Sequence, residues 1–313
     1  MKRVVFFLAA PAAFAAWGEW VFEGRWGSYG SGERQFDSPY GIAVGPYGDV
    51  YVADSGNDRV SNFTANGSFG GKVKYSLKGP MGVAVAPDGR LFIADTLNHR
   101  VVYRDDRGFY KSWGSYGHGN GLFCYPYGVA VSRYYVVYVV DRLNRRVQYF
   151  TTAGSFLGKW GGYGSGNGLF NGPEGIAAAP LGNVYVADSA NHRVQYFTSS
   201  GTFLGKWGSR GSGDGQFRYP TGVVLPTKRV AVYVADSGND RIQYFTRGGS
   251  FLGKWGSSGT GNGEFNSPAG IAVNVAGSRV YVADRMNHRI QYFRWSDPAV
   301  APASLGRVKA LLK

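Results

Sequence analysis

One phrase recurs along this 313-residue chain. It reads VYVADSGNDRVSNF at 50–63, VYVADSANHRVQYF at 184–197 and VYVADRMNHRIQYF at 280–293. Aligned on the aspartate that ends each hydrophobic run, six copies fall at Asp54, Asp95, Asp141, Asp188, Asp236 and Asp284, with spacings of 41, 46, 47, 48 and 48 residues. A period in the forties constrains the fold more than any other feature. One such unit cannot bury its apolar faces alone, so neighbours must stack as propeller blades or as a solenoid.

Each period divides into four strand-like runs. Around Asp188 these are GIAAA (175–179), NVYVAD (183–188), RVQYF (193–197) and TFLGKWG (202–208), with Pro180, Gly182, Gly201 and the glycines of GSRGSGDG as turns. Four short strands per period is the blade pattern. Composition agrees, since 49 glycines, 22 tyrosines, 20 phenylalanines and 8 tryptophans suit short aromatic strands joined by glycine turns.

The ends separate a ring from a solenoid. The sixth copy has strands at 270–273, 280–283 and 289–293, then runs into Trp295 and Pro298 without an FLGKWG-like segment. That segment stands at the other end, where VFEGRWGSYGSG (21–32) matches FLGKWGSSGTG (251–261). A circular offset of this kind lets the N-terminal strand complete the last blade and leaves no open sheet edge. The expected fold is all-β: a six-bladed propeller of four-stranded antiparallel blades over residues 16–295, closed by its N-terminal strand.

The phrases VADSANHRVQYF, IADTLNHRVVY and VADRMNHRIQYF, each preceded by P-x-G-[IV]-A, resemble the NHL repeat. The resemblance covers about residues 20–295 and implies a six-bladed propeller. Where the family usually carries leucine, this chain has Arg59, Arg100, Arg146, Arg193, Arg241 and Arg289. The letter before each arginine varies as Asp58, His99, Arg145, His192, Asp240 and His288. The repeated Asp, Asn and Arg read as scaffold, with the arginine placed to bond the aspartate or nearby carbonyls.

Outside the ring, Lys2 and Arg3 precede an apolar run and the small-x-small pattern Ala13-Phe14-Ala15, so residues 1–15 read as a secretory signal peptide. The run is short of the roughly 20 residues a membrane-spanning helix needs, and no transmembrane span is expected in the mature chain. The expected location is secreted or cell envelope. Residues 296–313 read as a flexible basic tail. The net charge of +14 favours an anionic partner. Cys124 is the only cysteine, which excludes an intrachain disulfide and a multi-cysteine zinc site.

In a four-strand blade the turn between strands two and three and the connection to the next blade share one face. That face carries the glycine-rich loops GHGNGLF (117–123), GSGNGLF (164–170), GSGDGQF (211–217) and GTGNGEF (259–265). They lead into strands rather than helices and so read as connections, not phosphate cradles. Ligand specificity is expected where copies differ within the fixed frame. The residue after the proline that opens strand one reads Tyr40, Met81, Tyr127, Glu174, Thr221 and Ala269, and the second residue after the W-G pair reads Tyr29, Tyr116, Tyr163, Arg210 and Ser258. Candidate ligand-binding residues are Tyr40, Tyr116, Tyr125, Tyr127, Arg142, Arg145, Arg210, Arg218 and Tyr219. Tyrosine faces stack on sugars or bases, and arginine forks take carboxylate or phosphate.

The function expected is non-enzymatic: a binding or scaffold module, with no catalytic residue or cofactor assigned, recognising a protein or an anionic polymer such as an acidic polysaccharide. Two rival readings follow from the family. Some NHL propellers bind single-stranded RNA, often beside a RING module, which one cysteine excludes here and which export would separate from cytosolic RNA. Others resemble peptidyl-hydroxyglycine amidating lyases, which hold zinc with propeller histidines, and His99, His192 and His288 recur in alternate blades. For zinc those imidazoles would have to converge across the mouth to about 2 Å from one metal.

Overall fold

A computed structural model describes residues 19–105, 107–226 and 231–296. The expected signal peptide (1–15), and the basic tail apart from Ser296, lie outside the described residues. The strands form six four-stranded antiparallel sheets. Their first strands, Pro39–Val44, Pro80–Val85, Pro126–Val131, Pro173–Ala178, Pro220–Val224 and Pro268–Val273, neighbour one another in a closed cycle and line a central channel. These sheets are blades 1 to 6 in chain order.

Burial peaks at the second strand of each blade and falls outward from there for a simple reason. Second strands are packed by sheets on both faces, so Val184–Asp188 is buried at every residue, whereas fourth strands such as Phe203–Trp207 alternate half-buried and exposed. Apolar residues between sheets form six clusters, one at each blade-to-blade joint. No helix among the described residues is long and apolar enough to cross a membrane.

Ring closure follows the circular offset. Glu19–Trp26 pairs antiparallel with Arg289–Ser296, placing Trp20 opposite Trp295 and Trp26 opposite Ile290. The third strand of blade 6 therefore continues to Ser296, past the expected end of the repeat. Trp20 packs on Tyr233 and Trp255 of blade 5, while Trp26 packs on Phe63 of blade 1. One strand thus supplies aromatic contacts on both sides of the seam.

The channel wall depends on the glycine of each P-x-G. A Cβ on Gly128 would lie 2.3 Å from the Glu174 carbonyl oxygen, and one on Gly175 would lie 2.1 Å from that of Thr221. The same contact with the next blade recurs at Gly41, Gly82, Gly222 and Gly270. These six positions let the inner strands approach, and the channel narrows there to a throat of about 70 Å³.

Candidate functional site at the channel mouth

The repeated aspartate organises the loop face. In blade 4, Asp188 is fully buried and its Oδ1 accepts the Asn171 N–H at 2.8 Å. Its Oδ2 accepts from Asn191 Nδ2 at 2.9 Å, Arg193 Nε at 2.7 Å and Gln195 Nε2 at 3.1 Å. The Arg193 terminal nitrogens donate to the carbonyls of Ser165, Gly166 and Leu169, fixing the glycine loop that enters the blade. The Asp–Arg pair recurs in all six blades at 2.6 to 2.8 Å. Burial pushes the Asp54, Asp141 and Asp188 carboxyls up, against the pull of these donors. The six arginines are scaffold, as the repeat pattern implied.

The glycine loops close on themselves. In these four loops and in GSGERQF (30–36), a glycine N–H donates to the carbonyl of a phenylalanine beyond it, as Gly164 does to Phe170 at 3.1 Å. Cys124 occupies the loop station held elsewhere by Asp37, Asn171, Arg218 and Asn266, and its N–H donates to Asp141 at 2.7 Å. Burial, then the charge of Asp141, pushes its thiol up, the reverse of an activated nucleophile.

The histidines have a different task. His99, His192 and His288 sit in left-handed backbone. Their Nδ1 atoms accept the N–H groups of Tyr125, Tyr219 and Ser38 at 3.1, 3.1 and 3.2 Å. Asp58 and Asp240 hold Gly79 and Ser267 in the same way, at 2.6 and 2.7 Å. Each such side chain ties its turn to the loop entering the next blade. The three imidazoles are committed to separate joints, and among the described residues no three His, Cys, Asp or Glu side chains group closely enough to hold a metal ion.

Above the throat the inner turns enclose a pocket of about 370 Å³, lined by Tyr40, Met81, Tyr127, Arg142, Glu174, Tyr219, Thr221 and Arg285 among others. Glu174 is its one carboxylate. It accepts the Tyr40 hydroxyl and, at 3.2 Å, Arg142 Nη2. The Arg142 guanidinium lies 4.6 Å from the Tyr127 ring centre, and that of Arg285 lies 5.5 Å from the Tyr40 ring centre. Tyr40 and Tyr127 meet edge to face at 5.7 Å. Burial first, then Glu174, holds the Tyr40 phenol well above its usual range, and burial raises Tyr127 against the opposing charge of Arg142. Burial alone would lower Arg142, but Glu174, together with Tyr127 and Tyr40, more than offsets it.

The nine candidate residues therefore divide. Tyr40, Tyr127 and Arg142 meet in the pocket, with Tyr219 on its wall. Tyr116 and Tyr125 instead pack around His99 at 5.1 and 4.7 Å. Tyr219 packs on His192 at 4.7 Å, where the charges of Arg210 and Arg218 are also felt. Arg145, grouped in sequence with Tyr127, lies over the Tyr163 ring at 4.6 Å. Sequence reasoning missed Arg285, and it placed Glu174 among the varying mouth residues without making it a candidate. The signal for Arg285 was present, because the residue after each repeat aspartate reads Ser55, Thr96, Arg142, Ser189, Ser237 and Arg285.

A family model for the NHL repeat matches residues 36–63, 77–102, 170–197 and 265–293. No curated protein matches the chain in sequence. Among solved structures, an inactivated virginiamycin B lyase from Staphylococcus aureus with quinupristin superposes at TM-score 0.62 and 14% identity, covering 88% of this chain and 99% of its own. A nutrient-binding protein from Bacteroides ovatus gives 0.66 and 14%, covering 84% and 70%. Hydrazine synthase from Kuenenia stuttgartiensis gives 0.59 and 13%, covering 85% and 97%. At these identities the likeness is one of fold.

Proposed function

We propose, from the premise that this chain is an NHL-repeat β-propeller, that it is a non-enzymatic recognition module, secreted or held in the cell envelope, whose loop face binds an anionic polymer. The fold alone selects nothing, since its likenesses include a lyase, a synthase and a nutrient-binding protein. The observation that carries the reading is the make-up of the loop face. A cationic, tyrosine-walled pocket lies at its centre, and exposed Tyr29, Tyr116, Tyr163, Arg210 and Arg218 stand around it. Glu174 is spent on Tyr40 and Arg142, so it supplies no free general base.

Acidic polysaccharide is the favoured polymer, because the N-terminal pattern reads as a secretory signal and an exported chain would meet glycans rather than cytosolic RNA. The test is binding of the full chain to an acidic polysaccharide and to single-stranded RNA across a salt series, beside an Arg210→Ala/Arg218→Ala variant. The polysaccharide is expected to bind the parent more tightly, with a shallower salt dependence in the variant. Preference for RNA, or equal loss of both polymers at physiological salt, would reject this reading.

A further inference from the structure

The residue after each clamp aspartate sets the character of the mouth. In blades 1, 2 and 5 it is Ser55, Thr96 or Ser237, each buried, whose hydroxyl donates to the carbonyl of Pro80, Pro126 or Pro268 in the next blade. Blades 3 and 6, on opposite sides of the ring, carry Arg142 and Arg285 and give up this latch. Local rules broken without structural gain mark sites held for function. Both arginines line the same pocket, and each keeps a buried Nε with no protein partner. Arg142 spends one Nη on Glu174, while Arg285 only rests over Tyr40.

Charge and shape then narrow the ligand. Two guanidinium groups face one carboxylate whose oxygens already accept Tyr40 and Arg142, leaving a single positive charge. A monoanion balances that charge, whereas a phosphate dianion would overshoot beside Glu174. Tyr40, Tyr127 and Tyr219 line the pocket with aromatic surface, and Ser189 is on its wall. A ligand rich in acceptors and ring surface fits these walls better than a peptide end, whose N–H donors would need acceptors that Glu174 has already committed. Beneath, the glycine throat bars a chain from threading through.

We infer that the mouth pocket binds one carboxylated sugar residue, a uronate at the end or on a branch of an acidic glycan, with its carboxylate on Arg142 and Arg285 and its ring against the tyrosines. This rests on the polymer-binding reading above and names the group that the face selects.

The experiment is calorimetric titration of the full chain with glucuronate, glucose, glucose 1-phosphate and an N-acetyl dipeptide. It is repeated on Arg142→Ser and Arg285→Ser, which install the residue that other blades carry at this station, and on Arg285→Gln. The thermal midpoint of Arg285→Ser is expected to match or exceed the parent, whereas Arg142→Ser also strips Glu174 of its cationic partner and is expected to melt lower. Glucuronate should bind saturably, at least about tenfold more tightly than the other three probes, and each variant should lose about tenfold, the share of one charge-assisted contact. Absent saturation, a preference for the phosphate or the dipeptide, or unchanged affinity in folded Arg285→Ser and Arg285→Gln would overturn the inference. A parent that ignores glucuronate yet holds the polysaccharide loses only this pocket assignment. One that holds neither loses the polymer reading as well.

Discussion

Asp141 and Arg142 are adjacent in blade 3, as are Asp284 and Arg285 in blade 6, yet the two stations follow opposite rules. The aspartate is identical in all six blades and fully buried, and it serves each blade alike by collecting a loop N–H, an Asn and an Arg. The next residue differs between blades, and in two of them an arginine stands in place of the hydroxyl that latches blades 1, 2 and 5 to the next blade. Ring geometry explains the contrast. Every blade needs the same anchoring of its entering loop, but all six share one mouth, so only there can a single blade change its chemistry without breaking the repeat.

The sharpest way to break this comparison is to mutate both stations within one blade. Asp188→Ala leaves Arg193 charged and largely buried, takes the acceptor of the Asn171 N–H and removes one of the two acceptors of Asn191 and of Gln195. Removing one member of a buried pair costs about 3–5 kcal/mol. Ser189→Ala, one residue on, is expected to change stability by under about 1 kcal/mol. Urea unfolding of both variants checks this. Comparable losses would mean that the two stations are not separable.

A middle-sized effect tests the wall between scaffold and site. Gly128→Ala forces a Cβ against the Glu174 carbonyl, a backbone atom that cannot swing aside. Overpacking of this kind costs about 1–3 kcal/mol. Because Glu174 anchors Tyr40 and Arg142, ligand affinity at the mouth should fall together with stability, as titration beside thermal melts would show. A variant that loses stability while keeping full affinity would uncouple the pocket from its floor.

The architecture was legible because period, strand count and the displaced N-terminal strand are properties of sequence order. The 41-residue spacing before Asp95 also has a plain cause. The loop entering blade 2 lacks the glycine arch, and Leu77 fills the place of Phe36, Phe123, Phe170, Phe217 and Phe265. The site was half legible. Tyr40, Tyr127 and Arg142 could be named because they vary within a fixed frame. Arg145 could not be told from Arg142, although the first leans outward on Tyr163 and the second turns inward to Glu174. That choice is set by left-handed backbone at Arg145, which spacing along the chain does not encode. Glu174 and Arg285 are 111 positions apart and meet only after the ring closes.

The smallest expected effect shows why variation alone does not identify a site. The letter before the clamp arginine is His in three blades, Asp in two and Arg145 in blade 3, and the His and Asp side chains accept the same N–H from the next loop. They differ in titration. Burial, then the charges of Arg210 and Arg218, holds the His192 imidazole below its ordinary 6.5. A folded-state value below the unfolded one means that the stability it supports is complete above about pH 6.5 and is lost as the pH falls through the depressed value. The thermal midpoint should therefore fall between pH 7.5 and 5, and His192→Asp, the choice of blades 1 and 5, should flatten that fall because a carboxylate still accepts there. Equal slopes would mean that the joint does not depend on Nδ1. A flattened slope would show that His and Asp are two spellings of one scaffold bond, whereas Arg142 and Arg285 replace the hydroxyls that latch blades 1, 2 and 5 with cationic groups at the mouth.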